Sequence, residues 1–200
     1  VDGRGAEVQE DAELIRKIAV KNNASALKGA ANETEANVLK TARRSAFSAL
    51  ARRMPTTILE DATVPRSELP VMIDRVAKAA KMFDVMIGNF GHAGDGNLHP
   101  TCLTDERDSK ELEKVHRAFD YIFNEAIKLG GTITGEHGTG LAKKHFLEQV
   151  AGPAGVDMMK KIKIAIDQNN ILNPGKIFTI SPKCEGHMPT KREQIKDFHV

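Results

Sequence analysis

The sequence predicts an α+β fold: a ferredoxin-like β-α-β-β-α-β antiparallel sheet with additional helices before and after it. Two observations point there. Between residues 56 and 136, short β-branched or apolar runs alternate with amphipathic stretches in that order. The second and third runs are joined only by a glycine-rich loop, as a hairpin would be. An antiparallel sheet with its helices on one face follows from that pattern.

Residues 8–21 put Leu14, Ile15 and Ile18 at helical spacing. An Ala-rich stretch over 33–53 then sets Leu39, Ala42, Ala46, Ala49 and Leu50 on one face, with Arg43 and Arg44 beside it, and Pro55 ends it. Residues 56–64 are rich in β-branched side chains and read as a strand. Ser67 is placed to cap the next helix, with Pro70 tolerated in its first turn. That helix carries Leu69, Met72, Ile73, Val76, Ala77 and Ala80 on one stripe.

Residues 84–90 form the next expected strand, and residues 98–103 follow beyond the loop with Gly91, Gly94 and Gly96. Pro100 cannot donate to a ladder, so an edge or a strand start is expected for it. Asp108 and Glu111 have the form of a capping box, and the helix behind them buries Leu112, Val115, Phe119, Ile122, Phe123 and Ala126. Gly130 and Gly131 stop it before a short strand over 132–134. Helices over about 139–150 and 155–168 precede a turn at Asn173-Pro174-Gly175. The expected organisation is a helical segment over 1–55, a core unit over 56–178 and a polar tail over 179–200.

Composition excludes several classes. The 200 residues are 40% hydrophobic and 28% charged, as in globular proteins, and no run approaches a membrane span. Net charge is +2 with acidic and basic residues mixed, aromatic content is 4% and tryptophan is missing. Nucleic-acid binding, which needs a basic face and stacking platforms, is therefore not expected. Cys102 and Cys184 make no disulfide framework, which favours a reducing compartment such as the cytoplasm. The chain begins at Val1 rather than Met and reads as a fragment or a processed form.

Two clusters carry chemistry. Gly91-His92-Ala93-Gly94-Asp95-Gly96-Asn97-Leu98-His99-Pro100 brackets a tight loop with two imidazoles and offers Asp95 and Asn97 as further oxygen groups. Two neutral imidazoles on such a loop form half of a site for zinc, manganese or iron. Gly135-Glu136-His137-Gly138-Thr139-Gly140 closes a strand, and Glu136 would complete a His, His, carboxylate set with positions left open. In a regular strand, adjacent Glu136 and His137 would face opposite ways.

Taken singly, each histidine reads first as a polar loop side chain with a backbone partner, and each glycine cluster as a turn. In a plain ferredoxin-like sheet, moreover, the hairpin lies at the opposite end from the close of the fourth strand, so the clusters have no evident reason to meet. On the residues alone the clusters leave open a metal or catalytic site, such as that of a metal-dependent hydrolase with these ligands, and a regulatory module. No dinucleotide fingerprint follows a strand, and no Gly-x-Ser-x-Gly elbow occurs.

The two clusters, together with Leu59-Glu60-Asp61-Ala62-Thr63-Val64-Pro65-Arg66-Ser67-Glu68-Leu69-Pro70 and Ile171-Leu172-Asn173-Pro174-Gly175-Lys176-Ile177-Phe178, resemble the C-terminal domain of FAD-linked oxidases of the vanillyl-alcohol oxidase superfamily. Glycolate oxidase flavoprotein subunits and D-lactate dehydrogenases are the most similar members. The resemblance runs from about residue 10 to Phe178.

It implies an N-terminal domain, outside this chain, that binds most of the FAD. It implies that His92, His99 and Glu136 bind a divalent metal, that His137 is the catalytic base and that Arg43 grips a substrate carboxylate. Asn173 is implied to approach the flavin. Relatives acting on D-2-hydroxyglutarate carry a lysine near Leu59 and an asparagine near Thr101; neither is present, which argues for a small 2-hydroxy acid such as glycolate or D-lactate. The implied partners are that acid, the FAD domain, an electron-transfer subunit through which membrane association would come, and a second copy of the chain. By itself the chain is expected to be inactive.

Overall fold

The computed structural model describes Val1 and residues 3–178. The expected tail over 179–200 lies outside the described residues. The chain divides into two compact units, Val1–Ala49 and a second that begins at Leu50.

The first unit is helical. Helix α1 spans Gly5–Lys21 and leaves Leu14, Ile15 and Ile18 exposed. Helix α2 spans Glu33–Arg44, capped by the Asn32 side chain, which accepts from the Glu35 N–H at 2.9 Å. The single helix expected over 33–53 is broken at Ser45, and a short α3, Ala46–Leu50, follows. No glycine or proline marks that break, so the apolar periodicity reads through it.

In the second unit the sheet is built around one strand. Strand β4 (Asn97–Thr104) pairs along its length with β3 (Met86–His92), and on its other side with β1 (Thr56–Leu59) and β2 (Ala62–Thr63), all antiparallel. Beyond β2, Thr132 and Thr63 exchange backbone hydrogen bonds of 2.7 and 3.1 Å. The fourth strand expected over 132–134 is thus reduced to one bridge, yet the row order is the ferredoxin-like one. No helix is long and apolar enough to cross a membrane among the described residues.

Helices α4 (Leu69–Phe83) and α5 (Ser109–Lys128) form with one sheet face a core that includes Met72, Val76, Leu98, Cys102, Ile122 and Phe123. The α5 stripe is the one the periodicity picks out; on α4, Met72 and Val76 are buried as expected, whereas Ile73 and Ala77 are exposed and Ala79 is buried instead. A 3-10 turn at Arg66–Glu68 leads into α4, so Ser67 does not cap it and its hydroxyl meets Glu68 Oε1 at 3.4 Å. Asp108 caps α5 through the N–H groups of Lys110 and Glu111, while Glu111 turns to Lys114 instead of closing the box. Burial also pushes the Cys102 thiol up to about 12, which leaves it an inert core group.

Three further expectations give way. The strand expected over 56–64 is interrupted at Glu60 and Asp61. Pro100 lies inside the central strand rather than at an edge, because its carbonyl, and hence its missing N–H, faces that interruption, where the Glu60 N–H reaches the carbonyl at 3.1 Å. The ladder with β3 loses no bond. Residues 139–143 are not helical; a 3-10 turn at Lys144–Phe146 leads into α6, Leu147–Ile166, which is broken at Gly152 (φ 69°) before Pro153.

Candidate metal centre

The site grows from the turn end of the hairpin. His92 ends β3 opposite Asn97, and His99 stands two residues on, opposite Phe90. The two histidines are therefore diagonal neighbours on one sheet face, the face away from Leu98 and Cys102. Their rings meet edge to face with centroids 5.2 Å apart. The turn between them is held by the Asp95 N–H on the His92 carbonyl at 3.0 Å and by Val64 N–H on the Gly96 carbonyl at 3.0 Å. Gly96 has φ +71°, and a Cβ there would strike the Val64 carbonyl, so the turn needs glycine.

Glu136 arrives from the other side of the sheet. After the Thr132 bridge and the buried Ile133, the chain does not run on as a strand. Asp61 Oδ2 instead accepts the successive N–H groups of Gly135 at 2.7 Å, Glu136 at 2.8 Å and His137 at 3.2 Å. Because Thr63, the partner of Thr132, is also the partner of Asn97, the fourth row starts beside the hairpin and stays there. This removes the geometric objection raised by a full-length fourth strand.

Glu136 Oε1 lies 3.0 Å from His99 Nε2 and 3.6 Å from His92 Nε2. The three donor atoms all lie within 4.8 Å of one another. His137 stacks on His99 at 5.1 Å and 14°, with Nε2 3.8 Å from Glu136 Oε1 and Nδ1 3.8 Å from Asp61 Oδ1. The loop is not a strand, so adjacent Glu136 and His137 both face the cluster.

Burial holds the His99 imidazole below its ordinary value of 6.5; the Glu136 carboxylate opposes this, and the neighbouring His137 and His92 add to it. A neutral imidazole is the form that ligates a metal. Two imidazoles and one carboxylate in this arrangement fit a divalent cation of the zinc, manganese or iron kind, with positions left over for other ligands.

The family model for the C-terminal domain of FAD linked oxidases matches residues 1–177. The chain belongs to that family. The glycolate oxidase subunit GlcD of Bacillus subtilis (strain 168) is 54% identical over 177 residues, covering 88% of this chain and 38% of that protein. Its namesake in Escherichia coli (strain K12) is 31% identical over 198 residues, covering 94% and 40%. A probable mitochondrial D-lactate dehydrogenase of Danio rerio is 32% identical over 182 residues, covering 90% and 36%. The chain thus spans about two fifths of the length of these curated relatives.

Within this FAD-linked oxidase domain, His92, His99, Glu136 and His137 come together as described. Arg43 lies in the last turn of α2, in the first unit, with an exposed side chain. Asn173 is exposed, at φ 47°, in a turn that returns to the site loop through the Ile177 N–H on the Gly140 carbonyl at 2.8 Å. Asn97 is buried beneath Gly135, where a Cβ would press on its amide and on the Thr63 hydroxyl, and Asp95 is exposed.

Sequence reasoning assigned no role to Asp61 and Lys143, both buried. Lys143 Nζ donates to Asp61 Oδ1 at 2.6 Å and to its carbonyl at 3.3 Å, and it pairs with Glu60 Oε2 at 3.0 Å. Burial alone would push the Asp61 carboxyl up. The Lys143 hydrogen bond and the Glu136 and His137 N–H groups outweigh it and hold the carboxyl well below its ordinary range. The available signal was an acidic pair in the middle of a β-branched run, where strands disfavour aspartate.

Proposed function

We propose that the chain is the metal- and substrate-binding part of an FAD-dependent dehydrogenase that oxidises a small D-2-hydroxy acid, glycolate or D-lactate, to the 2-oxo acid. The observation that carries this is the convergence of His92, His99 and Glu136 within 4.8 Å, with His137 beside them. A divalent cation held by His92, His99 and Glu136 would supply Lewis-acid polarisation of the substrate hydroxyl, and FAD would supply the hydride acceptor. His137 takes the hydroxyl proton at Nε2, the nitrogen that faces Glu136, while Nδ1 faces Asp61.

Arg43 is assigned to the substrate carboxylate, which its planar fork would hold in two hydrogen bonds, and Asn173 to the flavin edge. Leu59 and Thr101 are direct cross-strand partners, and neither offers a cation for a second carboxylate. This supports a small monocarboxylate. The same reading places the protein in the cytoplasm, as a homo-oligomer, with its own FAD domain and an electron-transfer subunit as partners. The Bacillus and Escherichia relatives are themselves named as subunits.

The test uses the full-length flavoprotein. Glycolate or D-lactate added without oxygen bleaches the flavin absorbance, chelation stops the bleaching, and Zn²⁺ or Mn²⁺ restores it; the 200-residue chain alone turns over neither acid. Bleaching that survives complete metal removal contradicts the proposal. Metal-dependent ester or phosphoester hydrolysis by this chain alone would replace it with the hydrolase reading.

A further inference from the structure

We propose that Asp61, locked by Lys143, is a positioning residue for the centre: it holds the backbone of residues 135–137 and thereby sets Glu136 against the two imidazoles, with His137 alongside. The inference rests on the metal-centre reading and deepens it, since it concerns how the third ligand is held.

The two carboxylate oxygens of Asp61 have separate tasks. Oδ2 takes three successive backbone N–H groups, at 2.7, 2.8 and 3.2 Å. In a strand, successive N–H groups point to opposite sides, so three on one oxygen force the backbone into a concave nest. That geometry fixes the Cα of Glu136 and leaves only its own side-chain torsions between backbone and cluster. Oδ1 faces Lys143 at 2.6 Å. An ammonium has three donors, and this one has three acceptors around it: Asp61 Oδ1, the Asp61 carbonyl and Glu60 Oε2. Lys143 also lies over the Phe123 ring at 5.3 Å, so its position is set by the core.

A purely stabilising role explains this less well. Buried ion pairs give little net stability, and apolar replacements of similar size are often neutral. A side chain that joins the core to a ligand-bearing loop has a geometric task that an apolar pair cannot perform.

Two double variants separate the readings. Asp61→Asn with Lys143→Met and Asp61→Ala with Lys143→Met both remove the buried pair, so neither leaves the Lys143 charge without its aspartate. They differ in one acceptor: the asparagine carbonyl can still face the three N–H groups, and alanine cannot. We expect Zn²⁺ affinity in the asparagine variant to stay within about threefold of wild type. In the alanine variant it should fall roughly 10–100-fold, the usual cost of losing a group that orients a ligand.

Hydrogen exchange of the metal-free protein gives a second readout. The amides of residues 135–137 are protected in wild type and in the asparagine variant and exchange freely in the alanine variant. Equal Zn²⁺ affinities, or unchanged protection in the alanine variant, overturn the proposal. Failure of the wild-type protein to bind Zn²⁺ at all would sink the metal-centre reading, and the exchange pattern would still decide the role of Asp61.

Discussion

His137→Ala in the full-length flavoprotein is expected to slow flavin reduction by a 2-hydroxy acid by roughly 10²–10⁴-fold, the range supplied by a positioned general base. Metal content should stay at the wild-type level. The separation follows from geometry. His137 is not among the three donors that close to within 4.8 Å, yet its Nε2 lies 3.8 Å from the Glu136 oxygen at their centre. A substrate hydroxyl drawn to that centre would come within reach of Nε2. The ring is half-exposed and stacks on His99, so its loss opens space at the surface instead of in the core. Stopped-flow spectroscopy of the flavin band measures the rate, and elemental analysis measures the metal. Near-normal reduction would remove His137 from the base role; loss of metal along with the rate would make it a ligand.

Substituting His99 by alanine should weaken metal binding strongly. Four-ligand zinc sites are worth about 10–16 kcal/mol, so one protein ligand carries about 2.5–4 kcal/mol, an affinity loss on the order of a hundred- to a thousand-fold. His99 is the ligand with most to lose: it is buried, it lies closest to Glu136 and burial disfavours its charged form. His92 is exposed and lies farther from Glu136, so His92→Ala should cost less. Competition titrations with a zinc indicator, on variants whose circular dichroism matches wild type, report the order. Equal, small losses for both would argue against a shared cation.

Much of the fold was legible because its signals are local. The stripes of α4 and α5 repeat every three or four residues, and the β3–β4 hairpin is announced by its glycine loop. The long-range devices were not. Asp61 reaches residues 74–76 positions away, and no periodicity encodes a side chain that caps a distant backbone. That one contact explains two misreadings: the strand break at Glu60 and Asp61, and the fourth strand shortened to a single bridge. The Pro100 rule failed for the same reason, since the break gave its missing N–H a place to face.

At the site, the residue types and glycine spacing marked His92 and His99 as half a centre. Glu136 stood out as a carboxylate that would complete the set, but that the two clusters meet came from the family resemblance, because a regular sheet would have kept them apart. Burial of His99 and the stacking of His137 on it depend on tertiary packing that no spacing reveals.

The central claim is that two imidazoles from the hairpin and the Glu136 carboxylate share one cation. Zinc K-edge X-ray absorption on the protein loaded with one equivalent of Zn²⁺ addresses it directly. The account predicts two imidazole ligands with Zn–N near 2.0–2.1 Å and oxygen ligands at about 2.0–2.2 Å, with one imidazole lost in His99→Ala. A spectrum without imidazole scattering, or one unchanged in that variant, would contradict it.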